Sequence, residues 1–143
     1  MKKIKMNMDP ILYLMEDASD FASTYYIDLE TGDVVSPDVD DHIGFDIYKQ
    51  NDRYFFLEPI TSHDGYEIMQ DFASALESDE IRDLLYDALE KKKPFRNFKN
   101  ILADFAEIEK RFYEYKGNRL KVILKNRLEA IGYELEEKPF PDL

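Results

Sequence analysis

The spacing of apolar residues changes once along this chain, and that change limits the folds open to it. From Ser23 to Leu29, Tyr25, Ile27 and Leu29 alternate with Thr24, Tyr26 and Asp28, the period of a half-buried strand. From residue 62 onward the apolar positions recur every three or four residues, the period of a helix with one buried face. Strands first and helices after predict an α+β fold. The expected sheet is small and antiparallel, with three to four strands within residues ~23–58, packed with four to six helices that are mostly C-terminal.

Local signals place the elements. Glu30-Thr31-Gly32-Asp33 reads as a hairpin turn in which Gly32 supplies a positive φ, and Val34-Val35-Ser36 begins the return strand. Pro37 to Gly44 reads as a polar loop, Asp46 to Lys49 as a weak third strand, and Arg53 to Leu57 as the strongest strand, ended by Pro59. A first helix is expected over residues 9–19, capped by Asp9, with Pro10 in the first helical position and Ile11, Leu14, Met15 and Ala18 as its apolar stripe.

Further along, Thr61 or Ser62 caps a helix with Tyr66, Met69, Phe72, Ala73 and Leu76 on one face. Ser78 caps the next, whose face is Ile81, Leu84, Leu85, Ala88 and Leu89. Pro94 opens a third carrying Phe95, Phe98, Leu102 and Phe105. A last helical stretch runs from about 107 to 131 and ends at Gly132. Its halves are out of phase: Ile108, Phe112 and Tyr115 share one face, while Leu120, Leu124, Leu128 and Ile131 centre about a third of a turn away. A break at Gly117-Asn118 is the expected cause, with one straight helix as the alternative.

At 143 residues and 17.0 kDa the chain suits a single domain spanning 1–143, large enough to bury roughly 68% of its unfolded surface. Apolar residues at 44% set it apart from disordered chains, and the absence of cysteine excludes disulfides, thiolate metal sites and thiol catalysis. The Lys2-Lys3-Ile4-Lys5 start is not followed by the apolar stretch of a secretory signal, because Glu16 and Asp17 cut off Ile11-Leu12-Tyr13-Leu14-Met15. No run is long enough to cross a membrane, so a cytoplasmic protein is expected.

Several segments in order carry a family resemblance. They are Tyr26-Ile27-Asp28-Leu29-Glu30-Thr31-Gly32-Asp33-Val34, Tyr54-Phe55-Phe56-Leu57-Glu58-Pro59-Ile60 and Tyr66-Glu67-Ile68-Met69-Gln70-Asp71-Phe72. Leu89, Pro94-Phe95-Arg96-Asn97-Phe98-Lys99 and Arg111-Phe112-Tyr113-Glu114-Tyr115 follow. Over roughly residues 22–133 the chain resembles a bacterial uncharacterised protein family of small acidic proteins. That resemblance implies a soluble bacterial protein and assigns no activity, substrate or cofactor.

Charge is the remaining signal. The formal net charge is −12, which repels phosphate backbones and anionic lipid from the chain as a whole. It is unevenly spread: residues 1–90 hold 6 basic against 22 acidic residues, and residues 91–127 hold 12 against 4. The densest basic piece contains Lys91, Lys92, Lys93, Arg96 and Lys99 interleaved with Phe95 and Phe98, a composition that can track phosphates while stacking bases. The same phenylalanines sit at helical spacing with Leu102 and Phe105, which instead places them in the core and leaves the cations as a solvated helix end.

Two other segments contain letters of known chemistry. The acidic loop Asp38-Val39-Asp40-Asp41-His42 fails the calcium-loop pattern: counted from Asp38, Ile43 and Lys49 stand where glycine and glutamate belong. Ser62-His63-Asp64 has the residue types of a catalytic triad, but three consecutive residues at a helix start cannot align hydroxyl, imidazole and carboxylate; capping by Ser62 accounts for them. No catalytic, cofactor-binding or metal-binding residue is therefore assigned. The sequence points to a non-enzymatic acidic binding or regulatory domain that contacts a basic protein partner. A nucleic-acid-associated protein using segment 91–99 is the alternative, and an uncharacterised enzyme stands behind both.

Overall fold

A computed structural model describes residues 1–16 and 24–138. The chain divides into two compact units, the first made of Met1–Ile60 and Leu120–Leu143 and the second of Thr61–Arg119.

The first unit contains both sheets. The expected antiparallel sheet is present with three short strands, β2 (Tyr26–Asp28), β3 (Val34–Val35) and β4 (Tyr54–Phe56), in the order β3-β2-β4. Gly32 closes the β2–β3 turn at φ +81°, and the Asp28 carbonyl accepts its N–H at 2.7 Å. A second, parallel pair was not expected: β1 (Lys2–Met6) runs beside β5 (Tyr133–Glu137), with Ile4 opposite Leu135. Ile4 and Met6 are buried while Lys3 and Lys5 face water, the alternation of a strand with one apolar side. Between β1 and β2, helix α1 (Met8–Glu16) buries Met8, Ile11 and Met15. It begins one residue earlier than the sequence suggested, because Asn7 Oδ1 and not Asp9 accepts a first-turn amide, that of Asp9, at 3.3 Å. Ala18 and the expected end of that helix lie outside the described residues.

One prediction for this unit is overturned. The polar loop ending at Gly44 and the weak strand Asp46–Lys49 are replaced by helix α2 (Asp41–Lys49). Asp40 stops the loop: its backbone is extended (φ −137°, ψ 112°) and its side chain caps the helix by accepting the His42 N–H at 2.9 Å. A 3₁₀ turn, Asn51–Arg53, leads from α2 into β4.

The second unit is helical: α3 (Ser62–Ser74), α4 (Asp79–Glu90), α5 (Pro94–Leu102) and the first half of α6 (Ala106–Glu129). Thr61, one of the two residues the sequence offered, caps α3 by accepting the Asp64 N–H at 3.1 Å, and Ser78 caps α4. Phe112 is fully buried, its ring centroid 5.2 Å from Phe72 and 5.1 Å from Phe98, distances at which edge-to-face rings attract. Arg119 closes the unit by donating to Asp71 Oδ2 at 2.8 Å and to the Tyr115 hydroxyl at 2.7 Å.

The expected break at Gly117-Asn118 does not occur; α6 runs unbroken through both residues. The phase shift has another cause. The boundary between the units falls between Arg119 and Leu120, so Phe112 belongs to one unit and Leu120, Leu124 and Leu128 to the other. Gly132, at φ +90°, ends the turn after α6, as its position predicted.

Candidate functional site

Lys91, Lys92, Lys93, Arg96 and Lys99 are all exposed. Lys91 Nζ lies 3.1 Å from Asp87 Oδ2, and the Lys92 carbonyl accepts the Asn97 side-chain amide at 2.7 Å. Lys93 occupies the left-handed region (φ 58°) as the residue before Pro94, and its side chain caps nothing. Arg96 and Lys99 follow on α5, and among the described residues Lys92, Lys93, Arg96 and Lys99 form no ion pair. The structure thus spreads the five cations from the turn before α5 to its last turn, where Lys99 lies, and it turns their aromatic companions inward: Phe98 is fully buried and Phe95 half-buried.

The acidic loop has structural duties. Asp38 Oδ2 accepts the Thr24 N–H at 2.8 Å, and Asp40 caps α2. Among the described residues no group of three or more His, Asp or Glu side chains is arranged to hold a metal ion. The Ser62-His63-Asp64 letters do not meet either; His63 Nε2 is 3.2 Å from Glu67 one helical turn on, with both side chains exposed.

Two features escaped the sequence. The first is a buried carboxylate. Asp28 accepts Arg53 Nε at 2.9 Å and Nη2 at 2.7 Å, a two-pronged charged pair, and also the Glu30 N–H at 3.0 Å. The Arg53 fork holds the Asp28 carboxyl below the usual carboxylate range against the opposing effect of burial. Next to it, burial pushes the Tyr54 hydroxyl up. Every oxygen of Asp28 is occupied within the fold, which suits a brace between β2 and β4 better than a proton-transfer group.

The second feature is the outer face of α2. The helix has no fully buried residue. Ile43 and Ile47 are half-buried on its inner side, whereas Asp41, Phe45 and Tyr48, at i, i+4 and i+7, form one outward stripe. Phe45 is 59% exposed and Tyr48 86%; Val39, just before the helix, is 82% exposed. The turn before α2 is fixed by Ser36, whose hydroxyl donates to the Thr24 carbonyl at 2.7 Å and accepts the Asp38 N–H at 3.2 Å. Around the stripe, residues 38–52 include five acids, Asp38, Asp40, Asp41, Asp46 and Asp52, against the cations Lys49 and Arg53 that bound its far end. Lys49 Nζ sits 4.7 Å from the Phe45 ring centroid, so that ring already serves as a cation platform. A helical-wheel plot of 41–49 would have found the stripe, had the segment been read as helix.

A model of an uncharacterised protein family (UPF0158) matches residues 3–138. A Pseudomonas aeruginosa protein named UPF0158 protein PA5073 is 24% identical over 124 residues, covering 85% of this chain and 79% of that protein. No solved structure matches.

Proposed function

Since the chain belongs to the uncharacterised protein family UPF0158, we propose a function from its own surface: a non-enzymatic binding or regulatory domain that docks a basic protein partner. The single observation behind this reading is the exposed Asp41–Phe45–Tyr48 stripe set among acidic residues. Large rings left in water act as anchors once a partner covers them, and surrounding carboxylates steer a positively charged partner and reject acidic ones. The first unit carries 18 acidic against 9 basic residues, a net of −9, while the second carries 13 against 10, a net of −3. The attraction is therefore concentrated on the unit that holds the rings.

A cytoplasmic location belongs to the same proposal; the structure itself shows only that, among the described residues, no helix is long and apolar enough to cross a membrane. The test is affinity capture from bacterial lysate with the wild-type chain and a Phe45→Ala/Tyr48→Ala variant. A basic protein retained by the wild type, lost at 0.5 M salt (Debye length about 4 Å) and lost in the variant supports the reading. Equal capture by both refutes it.

A second reading, association with nucleic acid, is favoured by the four exposed cations Lys92, Lys93, Arg96 and Lys99, which have no ion-pair partner among the described residues. Burial of Phe98 removes one ring the chemistry would use for stacking. Anisotropy titration with single-stranded RNA at low salt decides it: binding lost on Lys92→Glu/Arg96→Glu supports the reading, and a flat titration ends it.

A further inference from the structure

The outer edge of β4 holds main-chain groups that the fold does not use. β2 and β4 pair with Tyr26 opposite Phe56 and Asp28 opposite Tyr54. The Leu57 N–H donates to the Tyr25 carbonyl at 2.9 Å, and the Leu29 N–H to the Arg53 carbonyl at 2.8 Å. Hydrogen-bonded pairs alternate with unbonded ones along an antiparallel ladder, so they fall at Arg53, Phe55 and Leu57. Tyr54 and Phe56, one residue out of step, direct their main-chain groups away from β2. The order β3-β2-β4 leaves that side without a strand among the described residues. The Tyr54 N–H returns to the Asn51 carbonyl, and Arg127 covers the Glu58 carbonyl at 2.7 Å. The Tyr54 carbonyl and both main-chain groups of Phe56 have no protein partner among the described residues.

Beside this edge lies a groove of about 1220 Å³ within the first unit. Asp52, Tyr54, Phe55, Phe56 and Glu58 line it on the β4 side, and Lys2, Arg127 and Ile131–Tyr133 line it opposite. Phe56 and Ile131 are each 47% exposed, so apolar surface faces solvent along the groove. A neighbouring strand needs about 4.8 Å of lateral space and advances about 3.3 Å per residue. The groove accommodates several residues of extended chain.

We propose that this groove receives an extended basic segment of a partner protein, which adds to β4 as a new edge strand. Backbone pairing with Phe56 would supply affinity, and alternate side chains would meet the apolar wall. Lys2 and Arg127 balance Asp52 and Glu58 across the groove, so the choice of Lys or Arg on the incoming segment comes from the first unit's net charge of −9 and from the two exposed carboxylates lying on the β4 side where that segment pairs. A second copy of this chain is a poorer occupant: each copy carries a net charge of −12, and the opposite wall fills the space that the rest of another sheet would need. The proposal rests on the reading above only for the partner's positive charge; its site is separate from the α2 stripe.

The test uses the full chain, isotopically labelled, and the peptide acetyl-Lys-Val-Lys-Val-Lys-Val-amide followed by NMR and amide exchange. Saturable binding should slow exchange of the Phe56 amide at least tenfold. Only one edge of the peptide pairs with β4, so methylating the backbone nitrogens of its valines or of its lysines should weaken binding at least tenfold in one case and much less in the other. Phe56→Pro removes the outward N–H while leaving the bonds to β2, and should abolish binding that Phe56→Ala merely weakens. Phe45→Ala/Tyr48→Ala should leave the peptide affinity within twofold, which separates this site from the α2 surface. The proposal is overturned by no binding at millimolar peptide, by binding without protection of Phe56, by equal effects of the two methylations, or by concentration-dependent protection of Phe56 in the free protein, which would assign the edge to a second copy.

Discussion

Two glycines in the first unit allow a backbone penalty to be separated from a steric one. Gly32 (φ +81°) and Gly132 (φ +90°) both lie in the region that side chains disfavour. A Cβ on Gly132 would meet nothing within 4 Å. A Cβ on Gly32 would collide with the main-chain oxygen of Lys5 on β1, and would sit 3.2 Å from its carbon and 3.3 Å from Met6 Cγ. Placing alanine at positive φ costs about 1–2 kcal/mol, and the loss of unfolded-chain entropy returns about 0.4–1 kcal/mol. Gly132→Ala should therefore destabilise by about 1 kcal/mol. Gly32→Ala carries the same backbone cost plus overpacking against main chain that cannot rotate away, a further 1–3 kcal/mol or so. Its total is about 2–4 kcal/mol. With a urea slope of about 2 kcal/mol/M, the midpoint should fall by about 0.5 M for Gly132→Ala and about 1–2 M for Gly32→Ala. Urea titration followed by far-UV circular dichroism and tyrosine fluorescence measures both on the same unit. Equal midpoints for the two variants would refute the assignment of the β2–β3 turn against β1.

Asp28→Asn should cost about 2–3 kcal/mol, toward the lower end for a broken buried pair because Arg53 keeps some contact with solvent. The Arg53 guanidinium holds the Asp28 carboxyl below its ordinary range, so its contribution is fully present above the unfolded value and is lost as pH falls through the lower folded one. Acid titration of stability should accordingly be shallower below about pH 4 in Asp28→Asn than in the wild type. Phe112→Ala should destabilise the second unit by about 3–5 kcal/mol, read by loss of amide protection in α3 and α5. Lys92→Glu/Arg96→Glu should change the thermal midpoint by less than about 2 °C, since both side chains are exposed and pair with no acid among the described residues.

The helices after residue 61 were legible because each carries its own signals: Thr61 and Ser78 cap amides three residues on, Pro94 opens α5, and buried residues recur three or four apart within each, as Met69, Phe72 and Ala73 do in α3, Leu85, Ala88 and Leu89 in α4, and Phe98 and Leu102 in α5. The β1–β5 pair was not, since its partners stand 131 residues apart and a five-residue strand studded with lysines resembles any charged start. α2 was hidden by its own exposure. Its outward stripe is aromatic and its inward residues are only half-buried, so hydropathy shows no single apolar face; only the Asp40 cap marked it. The Asp28–Arg53 pair could not be chosen from 31 acidic residues without knowing that β2 and β4 are neighbours. The phase slip in α6 was read correctly as a change of face, but glycine was the wrong cause. One rod serves two cores, and Gly117 is tolerated because the helix continues on both sides of it.

The pairing of Lys2 with Tyr133 has a temporal consequence during synthesis. At about 5–20 residues per second, a ribosome adds the 131 residues from Lys3 to Tyr133 in roughly 7–26 s. Throughout that interval β1 is a nascent strand without its mate, while the four-helix segment between the two parts of the first unit can already complete its own contacts. The strand β1 thus settles later than the helices that follow it, and its lysines stay available to chaperones until Tyr133–Glu137 has emerged.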